Sequence, residues 1–266
     1  MTDTTPFGHA LRRWRTARRL SQQDLALRAG TPSRHVSFLE TGRARPSHGM
    51  VLRLADALDV PLGDRNQLLR AAGFAPAYAA RPLDDAALGA VRRVVDRLLA
   101  SHAPFPAVVL DRWYDVLDAN AAARALFLGG APVPEAPRLN LVAHLLGPLR
   151  PALVNWDDLV RDAARRLRAE VAAAPDDERL GALLARVEEE GGPALRAGGD
   201  LPEGPVLFAR MRTPIGELAT LTTIVHFGGA RDVTVDGLRV ELIYPADAET
   251  ERVLRAIAGA GGEEAR

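Results

Sequence analysis

The sequence predicts a chain of two parts: an all-α head of five helices, followed by an α+β body with an antiparallel sheet. Three observations lead there. Residues 20–47 read LSQQDLALRAGTPSRHVSFLETGRARPS, two short helices joined by a tight turn, the second helix basic and exposed. The stretch GFAPAYAARP at residues 73–82 breaks the helical pattern with Pro and Gly. Near the C-terminus, residues 206–212, 217–227 and 238–244 are β-rich runs, with Gly216, Gly228, Gly229 and Gly237 marking the bends. A length of 266 residues with 47% hydrophobic content suits about two folded cores. The expected division is a head over 1–75, a linker and connecting helix over 76–104, a body over 105–258 and a disordered tail over 259–266.

In the head, Ser21 is a natural N-cap with Asp24 three residues on, and Gly30 ends that helix where a left-handed residue is needed. Thr31 and Pro32 open the next helix. On it Val36 and Leu39 share one face, while Ser33, Arg34, Ser37 and Phe38 share the opposite one. Residues 7–19 supply a preceding helix, and residues 47–58 and 62–72 supply two more, bounded by Pro46 and Pro61.

In the body, residues 84–102 read as a long helix with Leu88, Val91, Val95, Leu98 and Leu99 on its apolar stripe, suited to docking the domains or pairing two chains. A β-hairpin follows, with runs at 107–110 and 114–117 around a turn at Asp111 and Arg112. A helix over 119–128, capped by Asp118 or Asn120, precedes helices over 140–146, 148–154, 156–173 and 176–190, and a last helix spans 246–258. Residues 129–137, 190–205 and the tail from Gly259 look flexible. Hairpin, helices and three antiparallel strands make an α+β sandwich, for which PAS-like is the nearest description.

Gln22, Leu25, Ala26, Gly30, Val36, Leu39, Glu40 and Gly42 resemble the helix-turn-helix signature of the lambda-repressor-like, or xenobiotic-response-element, regulators, over about residues 7–73. The resemblance implies double-stranded operator DNA as partner. It puts Gln22 on a phosphate, the outward residues Ser33, Arg34, His35, Ser37 and Phe38 in the major groove, and Arg43 and Arg45 along the backbone. It also implies a buried ion pair between Arg15 and Glu40. The residues themselves leave alternatives. Arg34 matches guanine O6 and N7 or grips phosphate; Phe38 touches a thymine methyl or makes an intramolecular contact; His35 reads a base or shields the turn. Charge agrees with DNA binding, because residues 1–80 hold 12 Arg against six acids while the remainder holds 22 Arg against 28.

The body carries a second resemblance. The successive segments PFPAVVLDRWYDVLDANAAARALF, RLNLVAHLLGPLRPALVNW, RRLRAE and TPIGELATL resemble the ligand-binding domain of the MmyB-like transcription regulators, over about residues 85–258. They include Asp111, Trp113, Asp115, Asn120, Asn140, Leu141, Arg150, Trp156 and Gly216. Residues 189–205 depart from the family, being Gly-rich where it carries aromatic and basic residues. The resemblance implies a PAS-like sensor of a small lipophilic molecule, such as a fatty acid. The bulky candidates for its pocket are Trp113, Tyr114, Leu117, Phe127, Leu146, Trp156, Phe208, Leu221 and His226, although large apolar residues at such spacings are more often plain core, and His226 more often a sheet histidine.

Other chemistry finds little to hold. Cysteine is absent, the six histidines have no metal-ligand spacing, and neither GxSxG nor a P-loop is present, so no catalytic residue, metal or cofactor is expected. No apolar run reaches the roughly 18 residues of a membrane helix, and the start MTDTTPFGHA lacks a signal-peptide pattern. The expectation is a cytoplasmic, homodimeric, one-component regulator with a bistable junction at residues 73–102. The alternative is a constitutive DNA binder whose second domain only dimerises or recruits a protein partner.

Overall fold

A computed structural model describes residues 5–197 and 204–263. Five helices come first: α1 (Pro6–Ala17), α2 (Gln22–Arg28), α3 (Ser33–Glu40), α4 (His48–Ala57) and α5 (Leu62–Ala71). Then follow α6 (Gly89–Ser101), β1 (Ala107–Leu110), β2 (Val116–Ala119), α7 (Ala121–Leu128), α8 (Leu141–Leu146), α9 (Trp156–Ala173), α10 (Glu178–Glu190) and α11 (Gly192–Arg196). The last elements are β3 (Ala209–Thr213), β4 (Gly216–His226), α12 (Val233–Gly237), β5 (Arg239–Pro245) and α13 (Ala248–Glu263). The chain forms two compact units. One holds Met1–Arg81, Leu167–Ala182 and Ala230–Asp236; the other holds Pro82–Arg166, Leu183–Gly229 and Gly237–Arg266.

In the first unit the helix starts follow the capping chemistry. Ser21 and Asp24 form a reciprocal capping box on α2, and the Ser47 side chain accepts from the Met50 N–H at the start of α4. The Ser21 hydroxyl, and then its backbone N–H, hold the Asp24 carboxyl below its ordinary pKa. That cap therefore acts fully above the unfolded value of about 4 and is lost as pH falls through the lower folded value. Gly30 adopts φ +61 and closes α2. Leu11, Trp14, Leu25, Val36, Leu39, Leu54 and Leu69 are fully buried and form the core.

One charge lies inside this helical core. Glu40, 4% exposed at the end of α3, accepts from Arg15 Nε at 2.6 Å and Nη2 at 3.0 Å, and from Gln22 Nε2 at 2.8 Å. The hydrogen bond to Glu40 raises the Arg15 pKa above its ordinary value against the opposing effect of burial. Later segments also belong to this unit. Arg18 donates to the carbonyls of Leu58 at 2.9 Å and Ala173 at 2.9 Å, and Arg13 pairs with Asp176. Arg81 pairs with Asp232 at 2.8 Å, and the Asp236 carboxylate accepts from the Leu62 N–H at 3.0 Å, capping α5 where Pro61 offers no side-chain cap.

The second unit is built on a five-stranded antiparallel sheet in the order β2-β1-β5-β4-β3, the PAS-like arrangement. The period-two alternation of β5 divides its side chains. Val240 and Leu242 join Val95 and Leu99 of α6, with Val109 and Leu238, in a buried cluster. The apolar stripe of α6 is thus spent on its own sheet. On the far side of the sheet, Leu218 of β4 packs with Val253 and Leu254 of α13.

Several elements differ from expectation for local reasons. The second strand of the hairpin starts at Val116, because Asp111 Oδ1 accepts from the N–H groups of Trp113 (2.8 Å) and Asp115 (3.0 Å) and lengthens the turn. Asn120, not Asp118, caps α7. The helix expected over 148–154 is only a 3₁₀ turn at Arg150–Ala152, after which the Val154 N–H donates to the Arg210 carbonyl at 2.8 Å and the chain pairs beside β3. The single-turn helices α11 and α12 lie in segments with no helical period, and α13 runs to Glu263, beyond the expected end at Ala258. Of the stretches expected to be flexible or disordered, residues 198–203 and 264–266 lie outside the described residues.

Replacing Glu40 by Ala leaves the Arg15 guanidinium without its partner among buried side chains. The variant is expected to lose about 3 kcal/mol of stability, read as a lowered denaturant midpoint by helical circular dichroism.

Candidate functional site

The first candidate surface is the outer face of α3. Val36 and Leu39 point into the core, while Ser33 and Arg34 are exposed and His35, Ser37 and Phe38 are half-buried. Thr41 Oγ1 donates to the Ser37 carbonyl at 2.8 Å, and the chain turns back at Gly42, whose φ is +72. Arg43 and Arg45 follow on the exposed loop. The Arg34 guanidinium carbon stands 4.9 Å from the centre of the Phe38 ring and that of Arg43 6.0 Å from it. Gln22 stands at the first position of α2, half-buried, with its amide on Glu40. Hydroxyls, guanidiniums and an aromatic edge on one short helix and its following loop are groups that suit base edges and phosphates.

The second candidate site is a cavity of about 510 Å³ inside the second unit, within the range of small-molecule sites. Leu141, Leu145, Leu149 and Leu153, spaced by four residues, form one wall, and Leu159 and Ala163 of α9 form another. The sheet contributes Met211, Leu218, Ile224 and Ile243. Polar groups are fewer. Asp162 takes Arg165 at 2.6 Å and Arg166 at 3.0 Å, a cluster with one net positive charge, and Glu241 on β5 lies 7% exposed at the wall.

Of the residues singled out from sequence, Tyr114, Phe127 and Leu221 line this cavity. The other six lie elsewhere. Leu117 packs against the cluster under α6, and Leu146 is buried. Trp156 donates its indole N–H to the Leu145 carbonyl at 3.0 Å with the Arg150 guanidinium 3.9 Å from its ring. Trp113 lies beside the Arg112 guanidinium, Phe208 is 38% exposed, and His226 is exposed at the end of β4. Selection by bulk favoured aromatics, whereas the wall is largely aliphatic. The four-residue leucine spacing from Leu141 to Leu153 was the available signal.

Several polar residues quoted for the body hold its loops together. Asn120 accepts from the Ala123 and Ala107 N–H groups and donates to the Phe105 carbonyl at 2.8 Å. Asn140 caps α8 and donates to the Trp113 carbonyl at 2.7 Å and to Asp115 at 2.8 Å. Both tie the hairpin and its turn to the helices beside the cavity.

Residues 91–257, more than half of the chain, match the MmyB-like transcription regulator ligand binding domain. The chain belongs to the MmyB-like transcription regulators. Residues 6–68 of this MmyB-like regulator match a helix-turn-helix domain, which covers α1 to the greater part of α5. No curated protein matches the chain. The two matches make the α3 surface part of a DNA-binding domain and place the cavity in a ligand-binding domain. Among the described residues no cluster of His, Asp and Glu could hold a metal ion, and no helix is long and apolar enough to cross a membrane.

Ala163 is buried and faces the cavity, so a Phe there grows into open space instead of packed core. The Ala163→Phe variant of this MmyB-like regulator is expected to keep its melting temperature within a few degrees. An environment-sensitive apolar dye that brightens with the unaltered chain is expected to stay dark with the variant.

Proposed function

We propose that this MmyB-like regulator binds double-stranded operator DNA as a homodimer in the cytoplasm, and that a small lipophilic molecule, such as a fatty acid, alters that binding from the cavity. The observation that carries the reading is the aliphatic cavity of about 510 Å³ in a chain that also bears a helix-turn-helix domain. Its walls suit an apolar occupant, with the Asp162, Arg165 and Arg166 cluster and Glu241 as polar contacts. On the DNA side, Arg34, with Ser33 and Ser37, reads base edges, while Gln22, Arg43 and Arg45 hold phosphates. His35 and Phe38 complete the surface.

Ligand can change DNA affinity only by favouring one of two states of the chain. The junction at residues 73–102 is one route between the units. A second is α9, whose residues before Leu167 belong to the unit with the cavity and whose later residues belong to the unit with α3. A body that only dimerises or recruits a partner has two supports, its excess of acids and the apolar stripe on α6, and the sheet occupies the second.

The test is native mass spectrometry of the full chain, then denaturing extraction of what it carries and operator binding with and without that molecule. A dimer with a stoichiometric lipophilic molecule that shifts operator affinity at least severalfold is the expected result. An empty chain that takes up no added lipid would overturn the sensor reading.

Two substitutions test the DNA surface. Arg34→Ala is expected to cost roughly 1 to 3 kcal/mol in specific binding and to relax preference at one base pair. Arg43→Ala or Arg45→Ala is expected to weaken binding to all sequences and to reduce the slope of log affinity against log salt by about one. An unchanged slope removes that residue from the phosphate contacts.

A further inference from the structure

We infer that Phe38 is a positioning residue of the DNA-reading surface. Its ring is a platform that holds the Arg34 and Arg43 guanidiniums ready for DNA, and it is not itself a reader of thymine. The inference rests on the proposal that α3 reads DNA.

Arg34 and Phe38 are four residues apart on α3, a spacing that puts their side chains one above the other on the same face. Arg43 comes from outside the helix and reaches the same ring because the backbone is tied there. With Gly42 at φ +72, the Arg43 N–H donates to the Phe38 carbonyl at 2.8 Å and the Ala44 N–H donates to it at 3.1 Å. One residue thus anchors the loop through its carbonyl and gathers both guanidiniums at its ring, 4.9 Å and 6.0 Å away.

A guanidinium is attracted to the ring through its charge, while its N–H donors lie in its own plane. A guanidinium held at the ring in this way keeps in-plane donors for guanine or phosphate. Among the described residues neither Arg34 nor Arg43 has a carboxylate partner in an ion pair, so no internal acid competes with DNA for them. Two like charges are gathered at one site before DNA arrives, and the ring offsets their repulsion. A ring engaged by Arg34 in this way has less surface to offer a thymine methyl.

The test uses the full chain and a duplex enriched from random sequence by the unaltered protein. Phe38→Met keeps bulk and apolarity but removes the π face, and Phe38→Tyr restores it. Phe38→Met is expected to weaken binding to the enriched duplex about two- to tenfold, from the loss of one or two such contacts, with an unchanged circular dichroism melt. Phe38→Tyr is expected to bind within about twofold of the unaltered chain. In an Arg34→Ala background the effect of Phe38→Met should shrink, because the two residues act through one contact. Replacing each thymine of the duplex by deoxyuridine should leave the unaltered chain within about twofold.

A loss on the deoxyuridine duplex that Phe38→Met abolishes would make Phe38 a methyl reader and overturn the inference. So would full additivity with Arg34→Ala, or no effect of Phe38→Met. If either variant melts early, Phe38 is structural and the inference also falls. Failure to enrich any sequence would instead overturn DNA reading itself, and this inference with it.

Discussion

The DNA-binding domain depends on a single carboxylate. Glu40 ends α3, and side chains of both α1 and α2 reach its carboxylate, through Arg15 and Gln22. Apolar packing by Leu25, Val36 and Leu39 drives these helices together but is tolerant of small rotations. A bidentate guanidinium contact is not tolerant, since both N–H directions are fixed by one plane. The angle at which α3 presents Arg34 and Phe38 is therefore set from behind by Glu40. Gln22, which the helix-turn-helix resemblance assigns to a phosphate, is joined to the same group, so a phosphate contact there would be felt directly at the end of α3.

The ligand-binding domain follows from a different constraint, the period of a strand. Alternation along β5 sends Val240 and Leu242 to α6, and Glu241 and Ile243 to the cavity. The α6 side is closed by β-branched and leucine side chains at full burial. The cavity side faces Leu145, Leu149 and Leu153 across a gap. The leucines of that wall come from a helix, a turn and the extended residue after a 3₁₀ turn, and the break at Gly147 together with the pairing of Leu153 to Met211 keeps them from forming one regular helix.

Much of this was legible in the sequence because it rests on local chemistry. Ser21 with Asp24 marks a helix start by side-chain capping that involves only neighbours, as does Asn120, one of the two caps expected for α7, and both are caps in the structure. Val36 against Ser33 and Arg34 separates buried from exposed by helical period alone. The cavity was less legible. Leu149 lining a void and Leu146 filling a core are the same residue type three positions apart, and only the fold tells them apart. Likewise the Asp236 cap on Leu62 joins residues 174 apart in sequence, a distance at which no local pattern survives.

That long-range cap shows how later parts of the chain complete the first compact unit. A chain with a single flexible junction at residues 73–102 would let a ligand act on the DNA-binding domain only through that junction. Here the chain passes between the compact units five times, at residues 81, 166, 182, 229 and 236. Both segments so delivered to the first unit are tied by charged groups: 167–182 by Arg18 at the last carbonyls of α9 and by Arg13 at Asp176, and 230–236 by Asp236 at the start of α5. Asp162, Ala163, Arg165 and Arg166 line the cavity within two turns of where α9 enters the other unit.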